Sequence, residues 1–178
     1  LGGVDTDGPA LPPQCMLVGA GHVECAGSVM HEPDCTAHGV DNLCCMPLLD
    51  ERFRQLLAYK AARPFATLSF KCGGIFGGGD APWARKLAAH MANVTSLRQL
   101  HLDLSTNTVA GDATIEVVGA ALSASPSLWN LSVAVEGTNI SDAGAMRLGK
   151  LLSSASVISD LDLNLRRNGD PSDHDQPY

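Results

Sequence analysis

The stretch that decides the fold is LRQLHLDLSTN, Leu97 to Asn107. Its apolar residues Leu97, Leu100, Leu102 and Leu104 step first by three and then by two. A period of two puts Leu100, Leu102 and Leu104 on one face of a strand, and His101 and Asp103 on the other. The spacing returns at Leu128 as LWNLSVAVEGTN, with Leu131, Val133 and Val135, and at Ile158 as ISDLDLNLRRN, with Leu161, Leu163 and Leu165. A further copy precedes them: FATLSFKC sets Phe65, Leu68, Phe70 and Cys72 in the same register. Four units of about thirty residues line up.

Within a unit the period changes. A polar turn follows the strand, at 107–112 and 137–142, and a helical spacing then begins, with Ile115, Val118, Ala121 and Leu122 in one unit and Leu148, Leu151 and Leu152 in the next. Asp112 and Asp142 stand where helix N-caps belong. Strand, turn and helix repeated in this way predict an α/β fold of about four parallel strands joined by crossover helices. No unit can bury its own apolar edge, so the units stack.

With L-x-x-L-x-L, an asparagine after the strand (Asn107, Asn168) and I-x-D-x-G-A at Ile140, Asp142, Gly144 and Ala145, the chain resembles the leucine-rich repeat family, ribonuclease-inhibitor-like type, over roughly residues 65–168. The third unit carries Thr138 at the asparagine position, and the first unit has no asparagine there. The resemblance implies a short solenoid that binds proteins on the free face of its strands.

The register settles the stretch CGGIFGGGD, Cys72 to Asp80. Cys72 aligns with Leu104, and Asp80 with Asp112, so the glycines form the first unit's strand-to-helix turn. A phosphate loop would close on Gly-Lys-Ser/Thr; this one closes on Asp-Ala-Pro-Trp, with an acid where an anion would sit. No dinucleotide motif, Ser-His-Asp set or paired-carboxylate site is visible, and the expectation is a non-enzymatic chain with no cofactor and no catalytic or metal-binding residues.

Ahead of the repeats, Asp50 to Ala62 has helical spacing, with Phe53, Leu56 and Leu57 on one face, acids at its start and Pro64 beyond its end. It is placed to cap the N-terminal side of the repeats. Residues 1–47 are rich in Gly, Pro and Cys, show no sustained period and are expected to be irregular and cross-linked. The organisation is thus a Cys-rich segment at 1–47, a repeat domain at 48–170 and a polar tail at 171–178.

Cys15, Cys25, Cys35, Cys44 and Cys45 crowd the leader and Cys72 sits in the first unit, all six being disulfide candidates. With His22, His31 and His38 they could also supply zinc donors, but no C-x-x-C pair occurs and intervals of nine or ten residues suit bridges better. Fifteen connectivities are open. Cysteine density points to an oxidising compartment, an organelle lumen or the cell exterior. Sequons at Asn93, Asn130 and Asn139 hint at a secretory route, although Asn130 falls on the free strand face, where a glycan would block binding. The first residue is Leu, which points to a processed chain or a fragment.

A net charge of −7 and a pI near 5.2 argue against nucleic acid or an anionic membrane surface as partner. No apolar run is long enough to span a membrane. The expected partner is protein. The residues offered to it are Lys71, His101, Asp103, Asn130, Ser132, Glu136, Asp160, Asp162, Asn164 and Arg166. In this register Lys71 faces Asp103, and Glu136 faces Arg166, as cross-strand ion pairs. The fourth unit stops after its strand without a cap, leaving an apolar edge for another protein to cover. The function these features suggest is an accessory or scaffold subunit of a larger, possibly membrane-bound, assembly. A free-standing secreted or cell-surface recognition protein, and a thiol or metal protein acting through the N-terminal cysteines, are the alternatives.

Overall fold

The computed structural model describes residues 8–19, 21–28, 49–73, 82–108 and 110–168. Along these run β1 (Cys15–Leu17), β2 (His22–Ser28), α1 (Leu49–Ala62), β3 (Thr67–Gly73), α2 (Pro82–Met91), β4 (Gln99–Asp103), α3 (Ala113–Ala124), β5 (Asn130–Ala134), α4 (Asp142–Ser154) and β6 (Asp160–Asn164). The six strands form one sheet in chain order. The β1–β2 pair is antiparallel and every other pair is parallel. The alternation of leucines set this register: Leu68, Leu100, Leu131 and Leu161 lie side by side, as do Phe70, Leu102, Val133 and Leu163.

One backbone device recurs at the entrance to each parallel strand. A single carbonyl accepts two successive N–H groups of the following unit: Gly21 from Ala66 and Thr67, Ala66 from Arg98 and Gln99, Arg98 from Trp129 and Asn130, Trp129 from Ser159 and Asp160. At the exit a left-handed residue turns the chain, Thr106, Gly137 and Arg167 in successive units. Glycine takes that conformation without steric penalty, and the threonine and arginine adopt it against their preference.

The inward residues of the strands and the buried faces of the helices form one core. Leu68, Leu100, Leu131, Phe53, Leu56 and Leu97 are fully buried in it, each burial contributing about 2 kcal/mol. Asn107 and Asn168 serve the junctions between units. The Asn107 amide donates to Cys72 O at 2.7 Å and Leu104 O at 2.6 Å; that of Asn168 donates to Val135 O at 2.7 Å. Asn168 Oδ1 also accepts from the N–H groups of Thr138 and Ile140. Thr138, at the asparagine position of the third unit, donates to Val135 O of its own strand at 2.9 Å and meets Asn168 Oδ1 of the next unit at 3.2 Å.

The sheet is wider than the leucine period predicts. β1 and β2 fall in the segment expected to be irregular, and make six strands of the expected four. Val23 and Cys25 stand beside Leu68 and Phe70 and are fully buried. Because β2 is parallel to β3, α1, expected at the end of the repeats, lies on the connection between two parallel strands. Its Leu49, Phe53, Leu56 and Tyr59 are buried, and the Phe53 ring stacks on His90 at 4.6 Å.

The caps differ too. Ser141, not Asp142, caps α4, its hydroxyl accepting from Gly144 N at 3.1 Å. Asp112 precedes α3 but its side chain makes no cap bond there. Its carboxylate crosses to the next unit and accepts from Ser141 N at 2.9 Å and Ser141 Oγ at 2.7 Å. Gly144 makes room for this: a Cβ on it would lie 2.0 Å from Asp112 Oδ1. The glycine of I-x-D-x-G-A is a packing residue.

Cys15 and Cys25 sit opposite each other on β1 and β2 and are joined by a disulfide. Cys72 is buried and also disulfide-bonded. Disulfides of this kind belong to an oxidising environment. Cys35, Cys44 and Cys45, the glycine-rich stretch at 74–80 with Asp80, and residues 171–178 lie outside the described residues. No helix among the described residues is long and apolar enough to cross a membrane.

Candidate functional site

A strand with its leucines in the core must present its alternate residues on the opposite face. Across β2 to β6 these form three rows. The first is His22, Thr67, Gln99, Asn130, Asp160; the second Glu24, Ser69, His101, Ser132, Asp162; the third Ala26, Lys71, Asp103, Ala134, Asn164. All ten residues expected to face a partner occur on this surface or, for Glu136 and Arg166, at the turns that end it.

Neighbouring strands are stitched along the rows. His22 Nε2 lies 2.8 Å from Ser69 Oγ, and Thr67 Oγ1 donates to Gln99 Oε1 at 3.0 Å. Asn130 donates to Asp160 Oδ2 at 2.7 Å, and Ser132 to Asp162 Oδ2 at 3.2 Å. The expected Lys71–Asp103 pair forms at 3.3 Å. The pair expected between Glu136 and Arg166 does not. Glu136 is met by Arg167 at 3.5 Å and by the Asn164 amide at 3.1 Å. The reason is local. Arg166 N bonds back to Asn164 Oδ1 and Arg167 is left-handed, so strand alternation has already ended there. Arg166 keeps no ion pair among the described residues.

A concavity of about 300 Å³ opens on this face, walled by Glu24, Ser69, Lys71, His101, Asp103 and Ser132. His22 and Glu24, absent from the expected set, come from β2; their signal was the short alternation of Val23 and Cys25 with His22, Glu24 and Ala26. Acids outnumber cations here: Glu24, Asp103, Glu136, Asp160 and Asp162 against Lys71, Arg166 and Arg167. Of the sequon asparagines, Asn93 is exposed beyond α2, while the amides of Asn130 and Asn139 are held by Asp160 and by Thr108 O.

The second surface is the outer edge of the sheet. Leu131 in β5 and Val135 just past it are fully buried, whereas their counterparts Leu161 in β6 and Leu165 just past it are 44% and 37% exposed. Val157, ahead of β6, is exposed as well. β6 pairs with β5 alone among the described strands, so one side of its backbone is unpaired there.

A third feature lies on the entrance side, a groove of about 500 Å³ between α1 and the strand entrances. Lys60 borders it, donating to Phe65 O at 2.6 Å with its ammonium 4.3 Å above the Phe65 ring. Burial pushes the Lys60 ammonium below its ordinary value of 10.5. Beside α1, Lys86 at 2.8 Å holds the Asp50 carboxyl below the ordinary 3.8 against the opposing effect of burial, and His90 adds to the lowering. No group of three metal-ligating side chains converges among the described residues.

No family model, curated protein or solved structure matches the chain.

Proposed function

We propose that the chain is a non-enzymatic protein–protein interaction module: a short leucine-rich-repeat solenoid that serves as an accessory or scaffold subunit of a larger, possibly membrane-bound, assembly on its oxidising, lumenal side. The observation that carries this is the contrast between β5 and β6. Inward residues that are sealed in every earlier unit are open to water in the last, and exposed apolar surface beside unpaired backbone is what a protein partner covers. The rows of polar side chains on the free face add a second contact surface, whose acidic balance suits a partner with Lys and Arg at the contact.

The disulfides support the oxidising side of this reading. The repeated carbonyl device from Gly21 to Trp129 supports the solenoid. The test is cross-linking in source extract followed by identification of the linked peptides. Links from Lys71, or from carboxylates at Asp103, Asp160 and Asp162, to the same foreign protein are expected. Links confined to the helical side, through Lys86 and Lys150, would refute the assignment of the surface.

A further inference from the structure

The groove between α1 and the strand entrances has a counterpart two units along the chain, where the ends of α3 and α4 meet the entrances to β5 and β6. That cleft measures about 230 Å³ and is bordered by Leu122, Pro126, Leu128 and Val157, with no charged residue. The α1 groove measures about 500 Å³, and both Lys60 and Arg98 border it, with no acid. The turn beneath differs as well. At the entrances to β5 and β6 it closes on itself, Leu128 N donating to Ser125 O and Ile158 N to Ala155 O. At the entrance to β4, Ser96 is left-handed and Leu97 N donates instead to Ser125 Oγ.

Helix ends do not account for the two cations. A helix C-terminus carries about half a negative charge, so the ends of α1 and α2 offset about one of them. The ends of α3 and α4 carry the same charge, and no cation borders their cleft. Neither Lys60 nor Arg98 meets a carboxylate among the described residues. Lys60 uses one N–H on Phe65 O and keeps two, on an ammonium that burial already disfavours. Arg98 is exposed, and its planar fork can hold two oxygens at once.

A surplus of about one positive charge, a fork for two oxygens and apolar surface from Leu57, Ala61 and Pro64 specify a carboxylate on an apolar body. A free acid and a chain end both present that chemistry. A site for a free small acid encloses most of it. Here Ala61, Pro64, Asn93, Thr95, Ser96 and Arg98 are all exposed, so the groove is open to solvent. An open groove suits a chain end, which gains further contacts from the residues before its terminus. The net charge of −7 opposes a polyanion or an anionic membrane in the same place.

We infer that this groove captures the C-terminal carboxylate of a protein partner whose last residue is apolar. The inference rests on the reading of the chain as an interaction module, and it gives that module a contact apart from the free strand face.

The test is isothermal titration calorimetry of the purified 178-residue chain with three probes. They are acetyl-Ala-Ala-Leu, the same peptide with a C-terminal amide, and 4-methylpentanoate, which keeps only the leucine side chain and carboxylate. The peptide acid binds with a Kd of about 0.1 mM, and the other two bind at least about tenfold more weakly. R98Q, whose side chain has no described partner to lose, weakens the peptide acid about tenfold and leaves the amide unchanged. K60Q acts in the same direction, while K150Q, on α4, changes nothing. Unchanged far-UV circular dichroism checks that each variant is folded.

An amide that binds as tightly as the acid, or R98Q protein that binds the acid as well as the native chain does, overturns the inference. Absence of binding by the peptide acid at about 1 mM overturns it too. Binding of 4-methylpentanoate as tight as that of the peptide overturns the chain end and assigns the groove to a small free acid. The two readings fail separately. A chain that ignores the peptide acid, yet is cross-linked through Asp103 or Asp162 to foreign protein in its source, refutes the carboxylate groove and spares the interaction module. A chain that binds the peptide acid but has no companion in its source does the reverse.

Discussion

Substituting Gly144 by Ala should destabilise the protein, although the same change inside an exposed helix stabilises by about 1 kcal/mol. The added Cβ would stand 2.0 Å from Asp112 Oδ1, 2.6 Å from its Cγ and 3.0 Å from Ile140 Cγ2. Something must move, and the Asp112 carboxylate is the freest of the three. In moving it gives up its bonds to Ser141 N and Ser141 Oγ. Hydrogen bonds to a charged acceptor contribute about 1.5–3 kcal/mol each when buried. These are exposed, which puts the pair near 2–3 kcal/mol in total. After the gain in helix propensity, a net loss of about 1–2 kcal/mol remains. That is a fall in Tm of roughly 2–8 °C for a chain of this size.

The decisive form is a double-mutant cycle read by thermal and denaturant unfolding. D112A removes the obstacle together with the bonds, so G144A made on that background should be neutral or stabilising. A stabilising G144A in the native chain, or the same effect on both backgrounds, would refute the claim that this glycine exists to seat the aspartate of the preceding unit.

Other outcomes follow from the same geometry. L131A empties a fully buried site and should cost about 3–4 kcal/mol, whereas L161A, at the equivalent but 44% exposed position, should cost about 1 kcal/mol in the monomer; chemical denaturation of both decides whether the edge is open. N107D sets a buried carboxylate against the carbonyls of Cys72 and Leu104 and should cost about 3 kcal/mol or more at neutral pH, the loss shrinking as acid protonates it. The Asp50 carboxyl has a depressed pKa, so its contribution is fully present above 3.8 and is lost as pH falls through the lower folded value. The stability difference between the native chain and D50N should therefore vanish in that acid window, and it should be only a few tenths of a kcal/mol above it because Asp50 is exposed. Replacing Cys15 and Cys25 together by serine, which removes their short-loop bond and leaves that of Cys72, should lower stability by about 2–3 kcal/mol, seen as a lower Tm than the native chain.

What could be read from the residues alone was the register. Alternation of Leu100, Leu102 and Leu104, repeated at a fixed period, places every side chain of β3 to β6 on the correct face, because a slip of one residue would turn each leucine outward. The Lys71–Asp103 contact follows from that register without further information. β2 escaped the same logic because its inward positions hold Val23, Cys25 and Gly27, a short run with no leucine spacing ahead of it. Its parallel pairing with β3 appears only once α1 is seen to connect them.

The remaining differences lie where the chain leaves the strand. Asp112 has the composition of an N-cap, but its carboxylate finds better donors on the next unit, a choice that depends on the distance between turns rather than on local spacing. Glu136 takes Arg167 and not Arg166 because the left-handed turn cancels alternation two residues early. That one-residue shift separates Arg166 from Glu136, so the candidate interface was legible only in outline.

The most direct test of the interaction-module account is the native size of the protein in gently solubilised extract from its source. The account predicts migration with other proteins, well above twice 18.6 kDa and resistant to dilution. Migration at 18.6 kDa, free of any companion, would contradict it.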